Sequence, residues 1–506
     1  MPKIARLSIQ NFRSIRSLDL RLNDFNAFIG RNNVGKSNIM EAIKLMLDEK
    51  WPTYHISEDD ICKYGNNQEC SIKLHFTEPI PHPSYQNMDI YGLSLSFNKG
   101  TGPEFICLSE SGTPLLTNWE KYVFPSKELR ELVPVVYIGI QRDLSYLLSP
   151  KYNDSILDKI FEICKKEFET DPKKKDRFKT TIKEVDDIVK TDKVKEFQDA
   201  FSTEVKRLLG IEEIEINLKE PDILEFYKSM PLFVKESKEY ESASAFDMGT
   251  GIQSSLAIAL IKAFNSISHS SIILCMEEPE IYLHPHARKH FYNTLLEFSN
   301  AGTQIIYTTH SSEFVGIDSP QTINIVKKSA EQGTYVEQGL KLHWDEDDKI
   351  KLYTRFNSDR NEIFFAEKVV LVEGPTEQKS LPIAFELNGI DINKSNISII
   401  DSGGVDGIKF LVKILNAFKI PFVVIADTDS NKKSEEFIAK RNAQLRQICS
   451  DEKIFFLDPD FESVFEITSN DKSKPANAIE KLAKLKSKNE LPEKINEAIR
   501  KLAEIH

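Results

Sequence analysis

The chain opens on a strand-like pattern. Ile4, Leu7, Ile9 and Phe12, then Leu18, Leu20 and Leu22, are apolar among polar residues. That pattern predicts a hairpin or meander of half-buried strands. Phe28-Ile29 ends another strand, and Asn38 to Leu47 has helical period. Residues 70–140 return to strand patterns, as in Ser71-Ile72-Lys73-Leu74-His75-Phe76 and Val135-Val136-Tyr137-Ile138. Residues 145–235 are rich in Lys and Glu and mostly helical in period, which reads as an inserted helical subdomain. Residues 246–330 are α/β again. Residues 331–360, with Trp344-Asp345-Glu346-Asp347-Asp348, read as a polar connector. From Ala366, apolar strands at 369–372, 397–400, 422–426 and 454–457 alternate with helical stretches, which implies a parallel sheet. The tail from 477 to 506 reads as amphipathic helix. The expected division is 1–355 for a first α/β domain, with 145–235 inserted, and 360–506 for a second.

Composition narrows the class. The 506 residues can build several cores, and 40% hydrophobic with 28% charged is ordinary for a globular protein. No apolar run approaches the ~20 residues of a membrane span, and the first residues lack a signal-peptide core. Six cysteines are scattered without a CxxC pair, so neither a disulfide framework nor a zinc site is expected. A reducing cytoplasm and no membrane partner fit best. The net charge of −12 argues against a non-specific nucleic-acid coat. It does not argue against a nuclease, because metal ions can hold phosphates against an unfavourable global charge. Lys173-Lys174-Lys175 with Arg177 and Lys179, and the lysines from Lys472 to Lys488, are candidate clusters for holding phosphates, though they read more readily as solvated helix faces.

Two chemistries stand out. Gly30-Arg31-Asn32-Asn33-Val34-Gly35-Lys36-Ser37 has the G-x-x-x-x-G-K-S spacing of a phosphate-binding loop, between a strand and a helix. Gly30, Asn33 and Gly35 shape it, backbone N–H groups wrap phosphates, Lys36 reaches the β/γ-phosphates and Ser37 ligates one Mg²⁺ with ATP. The strand Ile272-Ile273-Leu274-Cys275-Met276 ends in Glu277-Glu278. Glu277 is expected at Mg²⁺ through water, and Glu278 as the catalytic group that polarises the attacking water. Tyr307-Thr308-Thr309-His310 ends another strand and places His310 to sense the γ-phosphate. Asp247-Met248-Gly249-Thr250-Gly251-Ile252-Gln253-Ser254 opens a helix whose free N–H groups suit an anion.

With Asn11-Phe12-Arg13-Ser14 these motifs stand in the order of the ABC-type ATPases of the SMC and RecF group, which the chain resembles. The resemblance implies that Gly249 and Gly251 of one copy cap ATP held by another, hence a homodimer or higher homo-oligomer. It also suggests Gln141 as a lid glutamine. Glu277 replaces the usual Walker B aspartate, and Gly249-Thr250-Gly251 the usual Ser-Gly-Gly. Only about 210 residues lie between loop and signature, without sustained heptads, which excludes a long coiled coil.

The second chemistry is acidic. Glu373 ends one strand, and Glu377 lies one helical turn on. Asp427 and Asp429 end another strand, and Asp460 and Glu462 follow a third. Strand C-termini form the ligand edge of a parallel sheet, so six carboxylates converge. Two hard cations, Mg²⁺ or Mn²⁺, would relieve their repulsion. The marks Glu373-Gly374 and Asp427-Thr428-Asp429 resemble the Toprim domain, and the extra acids resemble its two-metal nuclease branch. An ATPase of this type fused to such a domain resembles the OLD (overcoming lysogenization defect) family. That resemblance implies an ATP-binding DNA endonuclease with catalytic Glu373 and Asp427, assisted by a basic residue best matched by Lys474. It also implies anti-phage defence, and leaves room for a partner defence protein. Two other readings stand beside it: a nucleotide-gated scaffold ATPase with an inert Toprim half, and a topoisomerase-like enzyme, which needs a nucleophilic Tyr on a DNA-gripping domain.

Overall fold

The computed structural model describes residues 2–505 apart from 48–51, 65–66, 86–87, 127–128, 130–131, 134, 140–154, 212–213, 215–221, 236–240, 269–271, 282, 284, 317–318, 343, 347, 349–357, 432–433 and 468–472. The chain forms two compact units, Met1–Ile140 with Ile272–His506, and Gln141–Ser271.

The first unit contains two sheets. Its larger sheet has seven strands before the second unit: β1 (Ile4–Phe12), β2 (Ile15–Arg21), β3 (Phe25–Ile29), β4 (Glu69–Pro81), β5 (Asp89–Asn98), β6 (Gly102–Leu108) and β7 (Val135–Ile138). The two-stranded hairpin β8 (Phe233–Val234) and β9 (Ala243–Ser244) belongs to the second unit. β10 (Ile273–Glu277), β11 (Gln304–Thr309), β12 (Ile323–Ser329) and β13 (Gly333–Gln338) complete the large sheet, in the order β6-β5-β4-β1-β2-β13-β12-β3-β11-β10-β7. Strands β12, β3, β11, β10 and β7 run parallel. β3, β10 and β11 are buried at every position, which is why they read as continuous apolar runs. The register Glu277↔Thr308 and Thr309↔Ile29 brings three strand C-termini side by side. Helix α1 (Lys36–Leu47) follows β3 and buries Ile39, Met40, Ile43 and Met46 in the core. Each such side chain contributes roughly 1.5–3 kcal/mol.

The smaller sheet is parallel throughout: β14 (Lys368–Val372), β15 (Ile397–Asp401), β16 (Phe422–Asp427) and β17 (Ile454–Leu457), in the order β15-β14-β16-β17. The first strand therefore lies inside the sheet, and the connections leave β14 and β16 on opposite sides of a switch point. Glu373 and Asp427 stand at the ends of those two strands.

The second unit is helical. α2 (Ile156–Glu169), α3 (Pro172–Val189), α4 (Asp192–Leu209) and α5 (Ile223–Lys228) precede the hairpin, and α6 (Thr250–Ser268) follows it. Local chemistry marks the ends: Ser155 and Asp171 accept backbone N–H groups as N-caps, and Gly210 closes α4 at φ 69°. The unit extends past the expected 145–235 to Ser271, because α6 packs on α2.

Two other expectations change. Residues 331–360 are not only a connector: β13 pairs antiparallel with β12. Its polar side chains hid it, because it is satisfied by the ladder and by contacts with the phosphate loop. The tail is two helices, Lys474–Ala483 and Glu493–Glu504, separated by a turn at Lys488–Glu490, with Pro492 preceding the second. Proline has no N–H to donate inside a helix.

Helix α9 (Val405–Ala417) follows α7 (Pro285–Asn300) and α8 (Pro375–Leu387) and starts beside the end of β14, where Gly404 N donates to Glu373 O (2.9 Å). Ser402 donates through N and Oγ to Val372 O (2.9 and 2.6 Å). A Cβ at Gly407 would lie 1.7 Å from Ser402 O, a backbone atom that cannot yield. Gly407→Ala is expected to cost about 1–3 kcal/mol by overpacking, measured as a lower urea midpoint of the full chain. An unchanged midpoint would contradict this packing.

Candidate functional site

Two clusters form where parallel strands end. In the first, Gly30 at φ 146° turns the chain out of β3, and Gly35 at φ 108° returns it to α1. Neither conformation suits a side chain. The space is closed as well: a Cβ at Gly35 would lie 2.3 Å from Thr334 Oγ1 and 2.8 Å from Ser14 Oγ. Those hydroxyls brace the loop. Thr334 Oγ1 donates to Val34 O (2.6 Å), Ser14 Oγ lies 2.7 Å from Thr334 Oγ1, and Asn38 Nδ2 donates to Ser14 Oγ (2.6 Å). Asn33 lies at φ 63°, and Ser37 is exposed in the first turn of α1.

Lys36 is buried and folded back into the loop. Its ammonium donates to Gly30 O (2.9 Å) and Arg31 O (3.0 Å), and contacts His310 Nε2 (2.8 Å). Burial lowers its pKa, against the pull of Glu278, Glu280 and Glu277. Burial and Lys36 lower that of His310, whose Nε2 lies between Lys36 and Glu278. Glu278 adopts φ 46°, a left-handed conformation unusual for its type. Its carboxylate meets His310 N at 3.1 Å and His310 Nε2 at 3.3 Å. Burial, then Glu280, push Glu278 up to about 8. Glu277 is hydrogen-bonded by the Tyr137 hydroxyl.

Glu280 had no assigned role. It is buried, and its Oε1 accepts from Thr309 Oγ1 (2.6 Å) and His310 N (2.9 Å). It therefore fixes the strand end that presents His310. The acidic run Glu277–Glu280 was its only signal in the sequence. Gly249 and Gly251 lie at the start of α6 in the second unit, where Ile252 N and Gln253 N donate to Gly249 O. Gln141 lies outside the described residues.

In the second cluster, Glu373 follows β14, and Glu377 is buried in the first turn of α8. Glu373 Oε1 accepts from Asp427 N (2.8 Å), and Asp427 Oδ1 from Phe461 N (3.0 Å). Burial, then Glu373 and Glu377, push Asp427 up to about 8. Burial pushes Glu377 up to about 7, with Glu462, Glu373 and Asp401 adding to it. Lys474 holds Glu462 at 3.0 Å.

Glu373, Glu377, Asp427 and Glu462 thus feel one another. Asp401 joins them as an unforeseen fifth acid, steadied by Gly403 N at 2.7 Å. Two expected ligands face other work. Asp429, at φ 52°, pairs with the buried Arg441 (2.9 Å), which also donates to Asp427 O (2.5 Å) and Thr428 O (2.9 Å). The i,i+2 spacing predicted a shared direction, but the left-handed turn breaks the strand's alternation. Asp460 is the N-cap of the short helix α11 (Phe461–Val464), following α10 (Glu435–Cys449), and accepts from Ser463 N (2.8 Å). Arg441 lay in an ordinary helical pattern and gave no signal.

Among the described residues, no three His, Cys, Asp or Glu side chains already converge in ligating geometry. The donor set still fits a divalent cation. Its members are hard oxygens, and their mutual repulsion in a buried setting favours either protons or a positive ion. Glu373, Glu377, Asp401, Asp427 and Glu462 are the residues that would hold one.

Residues 2–127 and 140–315 match the AAA ATPase domain family, and residues 364–429 match the Overcoming lysogenization defect protein-like TOPRIM domain. The chain belongs to that ATPase family and carries an OLD-like TOPRIM domain. The fold is, as expected, an ATPase domain followed by a Toprim domain. The "OLD nuclease" of Thermus scotoductus is 28% identical over 507 residues, 93% of each chain. The "Old nuclease" of Escherichia phage P2 is 26% identical over 467 residues, covering 84% of this chain and 77% of that one. "Endonuclease GajA" of Bacillus cereus strain VD045 is 24% identical over 420 residues, covering 76% and 69%. The Toprim match ends at Asp429, so the places of Glu462 and Lys474 rest on geometry.

Two predictions follow from the two clusters. Gly35→Ala should abolish detectable ATP binding while leaving the fold intact, because a Cβ there pushes apart the hydroxyls that brace the loop. Titration with a fluorescent ATP analogue checks this, and wild-type affinity would contradict it. Without metal, Asp427 and Glu377 bind protons in the folded state that the unfolded chain has released. Their contribution to stability is therefore greatest in acid and declines as pH rises from ordinary carboxylate values towards about 7 and 8. In EDTA, Asp427→Asn should gain thermal stability over wild type at pH 8.5 but not at pH 4. An equal difference at both pH values would count against the buried-charge assignment.

Proposed function

We propose that this ATPase–nuclease is a divalent-metal-dependent DNA endonuclease that acts as a homodimer in anti-phage defence, its cleavage governed by ATP. The observation that carries the reading is the carboxylate cluster at the switch point of β14 and β16, in the same compact unit as a braced phosphate loop. The defence role is what the resemblance to the OLD family implies, and no residue carries it. Among the described residues no helix is long and apolar enough to cross a membrane.

Bound Mg²⁺ or Mn²⁺ would supply Lewis-acid stabilisation of the phosphodiester oxygens and make water a better nucleophile. The protein's own part is positioning. Phe461 N orients Asp427, Gly403 N orients Asp401, and Arg441 fixes the turn between Asp427 and Asp429. Lys474, held on Glu462, offers positive charge to a backbone phosphate. At the nucleotide, Lys36 exchanges the loop carbonyls and His310 for phosphate oxygens. His310 and Glu278 then respond together, because they share hydrogen bonds. Gly249 and Gly251 would cap the nucleotide of a second copy through the start of α6.

One observation favours a second reading, a nucleotide-gated scaffold with an inert Toprim half: Asp429 and Asp460 are already engaged by Arg441 and Ser463 N. A plasmid-nicking assay with Mg²⁺ or Mn²⁺ separates the two. Wild type should nick. Asp427→Ala and Glu373→Ala should each lose about 100-fold or more while still binding ATP, since even residues behind metal ligands cost 10–100-fold when lost. Wild-type nicking in either variant would remove the metal assignment, and a wild type that never nicks would leave the scaffold.

A further inference from the structure

We propose that Arg31 is a positioning residue that carries the state of the phosphate loop to the base of the carboxylate-bearing sheet. The inference rests on the reading of that sheet as the nuclease, and names how the nuclease is regulated.

Arg31 is the second residue of the loop. Its backbone and its side chain face different sites. The carbonyl accepts from Lys36 Nζ at 3.0 Å, so this peptide belongs to the nest that Lys36 must leave when phosphates enter. The guanidinium points to the second sheet. Nη1 pairs with Glu367 Oε1, and Nε meets the Asn396 side-chain oxygen at 2.9 Å once that amide is oriented to accept. Glu367 directly precedes β14 and Asn396 directly precedes β15. The two segments also touch, through Glu367 N to Asn396 O at 3.0 Å. A planar, two-pronged grip of this kind fixes direction as well as distance.

The opposite ends of those strands carry the acids. β14 leads to Glu373, and β15 ends at Asp401. The strands are locked in register from Lys368↔Ile397 to Val372↔Asp401. A five-residue ladder is a rod of roughly 16 Å. Moving its base moves Glu373 and Asp401, and through the β14–β16 ladder it also pulls on the strand that ends at Asp427.

Other contacts keep the two parts together regardless of the loop. Asn361 Nδ2 donates to Ser312 O (2.9 Å) and Val315 O (2.8 Å), and Lys327 Nζ donates to Lys419 O (3.2 Å). Arg31 and Glu367 are 56% and 48% exposed, so their pair is weak and easily remade. That suits a device that biases an equilibrium rather than holding the fold.

The test uses the full-length chain. For wild type and Glu367→Ala, the ratio of plasmid nicking with and without saturating ATP is measured, alongside ATP affinity. Glu367 touches neither nucleotide nor the acids. The expected result is ATP affinity within about twofold of wild type, and a nicking ratio about threefold or more closer to one, whichever way ATP acts. Arg31→Glu should lose the ratio too, and adding Glu367→Arg should restore part of it. An unchanged ratio in Glu367→Ala with ATP bound overturns the proposal. So does a wild type whose nicking ignores ATP. If wild type does not nick at all, the nuclease reading fails by itself, and hydrogen exchange over residues 366–373 decides the coupling. An ATP-induced change present in wild type and absent in Glu367→Ala supports the grip by Arg31. No ATP-induced change, or an equal change in both, refutes it.

Discussion

Negative charge buried at the ends of parallel strands is the constraint on which both sites depend. Glu278 and Glu280 lie against Lys36 and His310, and Glu373, Glu377, Asp401, Asp427 and Glu462 stand together with Lys474 at one edge. Water cannot fully solvate these carboxylates, so each cluster must take up protons or cations. The demand for cations is thus built into the fold. It also explains why Asp427 is pushed up to about 8 and Glu377 to about 7.

The two clusters meet that constraint differently. At the phosphate loop the positive charge is internal and movable: Lys36 occupies the place of the nucleotide's partner by bonding to Gly30 O and Arg31 O. In the smaller sheet Lys474 reaches Glu462 and the buried Arg441 is taken up by Asp429, so repulsion among the other acids stands until a cation arrives. A nucleotide therefore rearranges existing contacts at the first site, whereas a metal ion completes the second. Their shared unit gives the rearrangement a short route to the second site.

Much of this was legible in the sequence because it is local. The G-x-x-x-x-G-K-S spacing, the apolar runs ending in Glu277-Glu278, His310, Glu373 and Asp427, and the alternation of strand and helix after Ala366 each follow from backbone geometry within a few residues. The same logic gives no direction where that depends on one dihedral angle. Asp429 was expected beside Asp427, but its φ of 52° turns it to Arg441. Asp460 was read as a ligand, yet a carboxylate directly before a helix is as well placed to cap it.

The sequence by itself determined which strands end in chemistry and which loop binds phosphate, since period, glycine placement and spacing fix these at short range. The tertiary structure decided which acids face one another. It set Asp401 and Glu280 beside the two sites, turned Asp429 to Arg441 and Asp460 to a helix cap, inserted β13 beside the phosphate loop and brought Arg31 to Glu367, 336 positions away. Those outcomes depend on strand order and on single left-handed residues. Strand order is set by which apolar faces pack together, and no local pattern encodes it.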